Sequence, residues 1–125
     1  MSKPRSRLVG KADYAFRTVK GFTTVIHFGR QAKHLPGQSN YDPSRSTITI
    51  GIQQLQHLVE LKAGTGTWFT SGCEIVDFDV QIGTYRDRRS GKELPTTRGA
   101  IHYSSTGAHV VPAIPNLANM KGRPS

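Results

Sequence analysis

Lys33 and His34 near the front of the chain, and His102 and His109 near its end, are the residues whose types can do chemistry together. The first pair sits in Gln31-Ala32-Lys33-His34-Leu35-Pro36-Gly37, which runs on to Asn40 and Tyr41. The second sits in Ile101-His102-Tyr103-Ser104-Ser105-Thr106-Gly107-Ala108-His109-Val110-Val111-Pro112. Imidazole gains and loses a proton near neutrality without special tuning. Cleaving RNA through its 2′-hydroxyl needs a base for that proton, an acid for the leaving oxygen and a cation for the developing charge. Two histidines and Lys33 fill those roles without a metal. A histidine at position 34 also suits the end of a helix, where it pairs with the last carbonyls, and Lys33 also suits an ordinary solvated surface.

Several neighbours can hold a phosphate. Tyr41 can hydrogen-bond it, stack on a base, or be a boundary aromatic. Gln31, Arg45, Ser46, Tyr103 and Ser104 are candidate substrate contacts, as are Arg86, Arg88 and Arg89 in the run Arg86-Asp87-Arg88-Arg89. Thr97 is a candidate supporting residue. His27 and His57 suit structural roles on a strand and an amphipathic helix. No HExxH, clustered Cys/His spacing or Asp-rich calcium loop occurs, so the expected metal and cofactor complement is none. Gly64-Thr65-Gly66 lacks a phosphate-loop pattern and reads as a turn.

The surrounding chain must position these groups. Thr23 to Phe28 reads as a strand, and Gly29 to Leu35 as a short helix stopped by Pro36-Gly37 and carrying Lys33 and His34 on its last turn. Ile52, Leu55, Leu58 and Val59 recur with helical spacing, predicting a helix over 52–61. Val76, Phe78, Val80 and Ile82 alternate with polar residues as in a half-buried strand. Residues 83–95 read as a hairpin with the arginine run near its tip, and Ala100–Ser104 with Ala108–Val111 as a second hairpin. That order predicts an α+β domain. In the last hairpin, a three-residue loop with Gly107 in the left-handed position avoids forcing positive φ on Thr106, and pairs Ser104 with Ala108 and Tyr103 with His109. On that register His109 and Tyr103 share one face and His102 faces the other, so His109 is the expected second catalytic histidine. A slip of one residue would unite His102, Ser104 and His109.

Composition bounds the rest. The 125 residues fit one domain, expected at 13–115 between flexible segments 1–12 and 116–125, and to be a monomer on its own. Cys73 is the only cysteine, which excludes an intrachain disulfide. Seventeen Lys and Arg against eight Asp and Glu give a net charge of +9, pointing to a polyanion such as nucleic acid. No apolar run is long enough for a signal-peptide core or a membrane span, so no membrane partner is expected.

The two motifs resemble those of the polymorphic toxin type 50 domains, nuclease tips of bacterial competition toxins. The resemblance rests on Gln31, Lys33, His34, Pro36, Gly37, Asn40 and Tyr41; on Ala63-Gly64-Thr65-Gly66; on Val76-Asp77-Phe78 with Ile82-Gly83; and on Thr97, Gly99, Ile101–Ser104 and Gly107–Pro112. It spans about Phe28 to Pro115. Gln38-Ser39 depart from the threonine or asparagine common in that family, and nothing before Thr23 matches. The resemblance implies the barnase/EndoU/colicin/RelE-like fold, with N-terminal helices packed on a small antiparallel β-sheet and RNA, tRNA included, lying across the sheet. It also implies secretion as the C-terminal part of a larger toxin, action in the target-cell cytoplasm, and a cognate immunity protein. The basic surface implies that this partner is acidic. On this reading the chain is a metal-independent endoribonuclease, with His34 and His109 as the acid/base pair, either of them able to take either role, Lys33 as cation, and His102, Tyr41 and Thr97 in support. A DNase of the same fold, or a non-catalytic basic nucleic-acid-binding module, are the alternatives.

Overall fold

The computed structural model describes residues 17–38 and 41–115. The segments 1–12 and 116–125, with Ser39 and Asn40 of the first motif, lie outside the described residues. The chain runs β1 (Thr18–Val19), β2 (Phe22–Thr23), α1 (Phe28–Gln31), a 3₁₀ turn (Ala32–His34), β3 (Thr47–Ile48), α2 (Ile52–Lys62), β4 (Thr67–Thr70), β5 (Cys73–Asp77), β6 (Gly83–Arg86), β7 (Glu93–Thr96), β8 (Arg98–Ser104) and β9 (Gly107–Pro112). The named strands form three antiparallel sheets: β1-β2, β3-β6-β7 and β4-β5-β8-β9.

The α+β class holds, but not the arrangement of N-terminal helices on one small sheet. The described residues open with a hairpin, with positive φ at Lys20 and Gly21 in its turn, and α1 is a single turn of four residues. Among the described residues the one longer helix, α2, has 11 residues and comes mid-chain. It buries Leu55, Leu58 and Val59 in a core with Ile26, Val76, Phe78, Ile82, Ile101 and Val110. The stripe read from the sequence therefore faces the core as expected.

The strand expected through Ile82 stops at Asp77. Asp77 accepts a hydrogen bond on Oδ1 from Asp79 N at 2.9 Å, Asp79 takes φ 67, and Val80 is left exposed. An Asx turn ends the β5 ladder here. The chain then crosses to the other sheet. There a Cβ on Gly83 would lie 2.1 Å from the Thr47 carbonyl oxygen, so this crossing admits only glycine.

The free edge of β9 is closed by the segment before α1. His27 N donates to the Ala108 carbonyl at 2.7 Å and Ala108 N to the Val25 carbonyl at 2.8 Å. Gln31 completes the edge: its Nε2 donates to the Val110 carbonyl and its Oε1 accepts from Val110 N, both at 2.7 Å. Gln56 of α2 does the same for residues 24–26, accepting from Ile26 N and donating to the Thr24 carbonyl, both at 2.8 Å. Two buried amides thus stand in for a missing strand, as a buried backbone requires.

Candidate active site

His34 reaches the sheet because α1 is anchored there. His27 caps the helix, its Nδ1 accepting from Arg30 N at 3.3 Å. Gln31 and His34, three residues apart on a helical stretch, lie on one face; both are buried, while Arg30 and Lys33 retain exposure. The bond from Gln31 to Val110 therefore delivers His34 to His109, one residue earlier on β9. Their rings lie 6.4 Å apart, nearly parallel at 14°.

The last hairpin takes the other register. Ser104 pairs with Gly107, Tyr103 with Ala108 and His102 with His109. The turn passes through Ser105 and Thr106, and Gly107 alone takes the positive φ, at 134°. Ser104 Oγ fastens it, accepting from Thr106 N at 3.3 Å and donating to the Gly107 carbonyl at 2.8 Å. The strain anticipated at Thr106 is avoided without the extra loop residue. Burial favours this register too, since it places Ile101, Tyr103, Ala108 and Val110 on the core face together. His102 and His109 consequently stand side by side on the opposite face, ring centroids 5.0 Å apart and 17° from parallel.

Three imidazoles are thus stacked in the order His34, His109, His102. Burial lowers all three pKa values. For His109 the neighbours His102 and His34 and the cations Arg30 and Lys33 add to burial and bring it down to about 4. His34 is lowered by burial, with the charges of Arg45, Lys33 and His102 adding to it, against an opposing bond to Ser46. His102 is lowered by burial. That bond, from His34 Nδ1 to the Ser46 carbonyl at 2.8 Å, fixes the neutral tautomer: a carbonyl only accepts, so Nδ1 carries the proton and Nε2 keeps its lone pair.

Beside the stack lies a cleft of about 210 Å³, lined by His34, Ser44, Arg45 and Ser46 on one side and Tyr85, Arg86, Arg88, Val111 and Pro112 on the other. Ser46 joins the two halves, because its Oγ accepts from Arg86 N at 2.9 Å. Arg45 is paired with Asp42 at 3.0 Å, and Arg86 with Glu93. Lys33 is exposed, as are Arg88 and Arg89 at the turn beyond β6. Arg30 donates from Nη1 to Ser104 Oγ at 2.7 Å. Among the described residues, no group of three or more His, Cys, Asp or Glu side chains is arranged to hold a metal ion.

The sequence-based candidates divide sharply. His34, His102, His109, Lys33, Arg45, Ser46, Arg86, Arg88 and Ser104 belong to the stack, the cleft or their immediate surroundings. Tyr41 is half-buried at the margin, its hydroxyl 3.1 Å from Thr47 Oγ1. Arg89 is at the hairpin tip. Gln31 does not line the cleft: it is fully buried with both amide atoms committed to Val110. Tyr103 points to the opposite face of the sheet, where its hydroxyl donates to Glu74 at 2.7 Å. Thr97 does not line the cleft; it precedes β8, five residues or about 16 Å of strand from His102. The structure thus gives Gln31 and Tyr103 structural partners away from the cleft, and Thr97 is not among the residues lining it.

Arg30 and Tyr85 were missed. Arg30 was legible in principle, standing one helical turn before Lys33 and His34; Tyr85 had no signal beyond adjacency to Arg86. Glu74 was also missed. It is fully buried, and its carboxylate accepts from Gly64 N, Gly66 N and Tyr103 Oη at 3.0, 2.7 and 2.7 Å. The Gly64-Thr65-Gly66 turn is thereby tied to β5.

Residues 26–112 match the family model described as bacterial toxin 50. No curated protein matches the chain. No helix among the described residues is long and apolar enough to cross a membrane.

Proposed function

This chain belongs to the bacterial toxin 50 family, and from that premise and the stacked histidines we propose that it is an endoribonuclease toxin domain working by acid/base catalysis without a metal. The observation that carries the reading is the His34–His109–His102 stack beside a cation-lined cleft. His34 is the base: Nε2 takes the proton of a 2′-hydroxyl, and the Ser46 carbonyl steadies the imidazolium that results. The freed oxygen attacks the adjoining phosphorus as the bond to the 5′-oxygen breaks, leaving a 2′,3′-cyclic phosphate. His109 returns a proton to the departing 5′-oxygen. In the free protein that ring is neutral near pH 7, because its pKa is lowered to about 4. Burial is the main cause of that lowering; a bound phosphate, an anion beside the ring that also offsets the Arg30 and Lys33 charges, shifts His109 toward the protonated form that an acid needs. Lys33 stabilises the extra charge on the phosphorane, and His102 holds the His109 ring from its other side.

The toxin family also implies an immunity partner and delivery within a larger secreted protein. We propose that this partner is acidic and covers Lys33, His34 and the Arg86–Arg89 tip. The test of activity is incubation of the purified protein with total RNA and a chelator, followed by end-group analysis. The expected products carry 2′,3′-cyclic or 3′-phosphate ends. Fragments with 3′-hydroxyl ends, or cleavage abolished by the chelator, would overturn the mechanism. Cleavage of DNA alone would instead make this a DNase, and binding without cleavage a nucleic-acid-binding module.

A further inference from the structure

Phe69 is 78% exposed, the most open of the exposed large apolar side chains among the described residues. A single exposed apolar residue needs no explanation by itself, but its place on the sheet gives this one a direction. β4 pairs with β5 as Thr67 to Ile75 and Trp68 to Glu74, then slips so that Thr70 pairs with Cys73. Phe69 is the extra residue of that bulge. A bulge sets two consecutive residues opposite one and re-aims them to the same side, so Phe69 and Thr70 share the face of Cys73. Cys73 pairs with His102, which pairs with His109. The register therefore draws one row across a single face of the sheet: Phe69, Cys73, His102, His109. Trp68, one residue earlier, turns to the opposite face and stacks on Tyr103 at 5.3 Å.

We propose that Phe69 is a stacking platform for a nucleobase, and that it commits the protein to unpaired RNA. The inference rests on the ribonuclease reading above. Three strand spacings separate β4 from β9, about 14 Å, a span that a few nucleotides cover. A strand whose phosphate sits by His34 and His109 and whose chain follows the row over His102 brings a flanking base to Phe69. That base must present its flat face. In an A-form duplex the faces are stacked internally and unavailable, whereas an unpaired stretch offers them. The parallel row Ile75, Ala100 and Val111 supplies a low, uncharged floor beside the path. Stacking contacts tolerate any base, so Phe69 selects strandedness rather than sequence.

The test compares wild type with Phe69→Ala, Phe69→Leu and Phe69→Trp on one short RNA presented unpaired and as a duplex, together with an all-deoxy copy of the unpaired strand for binding alone. Wild type is expected to cleave the unpaired form preferentially. Phe69→Ala and Phe69→Leu should each lose roughly ten- to a hundred-fold in kcat/KM and in affinity for the deoxy strand, while Phe69→Trp retains both. Removing single bases along the RNA should weaken wild type at one flanking position and leave Phe69→Ala indifferent there. Equal cleavage of duplex and unpaired RNA, or a Phe69→Leu variant matching wild type, overturns the inference while leaving the ribonuclease reading intact. If no RNA is cut, the deoxy strand still decides: a Phe69→Ala variant that binds it as tightly as wild type overturns stacking.

Discussion

The two faces of the β8–β9 hairpin and its neighbour β5 each carry ionisable groups, Glu74 and Tyr103 buried on one and His102 and His109 half-buried on the other, and they treat them oppositely. On the core face, Glu74 has three donors converging on its carboxylate and Tyr103 gives its only hydroxyl to it. Every polar atom has a fixed partner, and the pair holds a turn and two strands together. On the other face, His102 and His109 are packed against one another and against His34 with cations around them. Among the described residues, these three rings make one hydrogen bond, from His34 to the Ser46 carbonyl. The groups there are desolvated without being neutralised by carboxylates, a state that favours proton transfer and suits an anion. A closed polar cluster stabilises a fold. A cluster left open and electropositive is set up for a ligand.

The contrast is broken most severely by removing the histidines. His109→Ala and His34→Ala should each lower RNA cleavage by about two to four orders of magnitude while thermal melting of the His109 variant stays near wild type. His102→Ala should fall between these and wild type, because its ring touches His109 rather than the cleft. A His102 variant more damaged than the His109 variant would reverse the assignment of the acid.

Removing the carboxylate from the other face should do the converse. Glu74→Ala leaves two backbone amides and a buried hydroxyl without an acceptor, at a cost of about 3–5 kcal/mol in urea unfolding. Catalysis by the fraction that remains folded should be near normal. Glu74→Gln, which keeps an acceptor oxygen, should cost less. A catalytic loss in folded Glu74→Gln would mean that the two faces are not independent.

Acid sharpens the comparison further. His34, His102 and His109 all titrate lower in the folded chain than the ordinary 6.5. The unfolded chain therefore binds more protons below that pH, and stability is fully present above about 6.5 and lost as pH falls toward about 4. Urea midpoints measured from pH 7.5 down to 4.5 should decline, and His109→Gln should decline less. A wild-type midpoint constant over that range would contradict the depressed values. Inorganic phosphate should act in the opposite sense, raising the NMR titration midpoint of His109 from about 4. A midpoint unmoved by phosphate would mean that the anion does not load the acid.

The smallest expected effect concerns encounter with the immunity partner. Its association rate should fall as salt rises, because Lys33, Arg88 and Arg89 are exposed cations able to steer an acidic surface. A salt-independent rate, or a complex that still cuts RNA, would show that inhibition does not work by covering this cleft.

Much of this protein was written locally. The spacing of Ile52, Leu55, Leu58 and Val59 sufficed for α2, Pro36-Gly37 for the end of the turn carrying Lys33 and His34, and the run Arg86-Asp87-Arg88-Arg89 for a hairpin tip within 83–95, since these depend on side-chain periodicity and backbone preference over a few residues. The short strands β1, β3 and β4 went unread, because pairs of two to four residues carry too little pattern and exist only through their partners. What tertiary structure alone decided was which groups meet. Gln31 and Tyr103 belong to the same motifs as the histidines, yet one fills the edge of β9 and the other the core. The register that unites His102 with His109 turned on burying Tyr103 and Ala108 together and on letting Gly107 absorb the positive φ. A one-residue slip exchanges the two faces of a strand at no local cost, so only the packing of the whole sheet could choose between them.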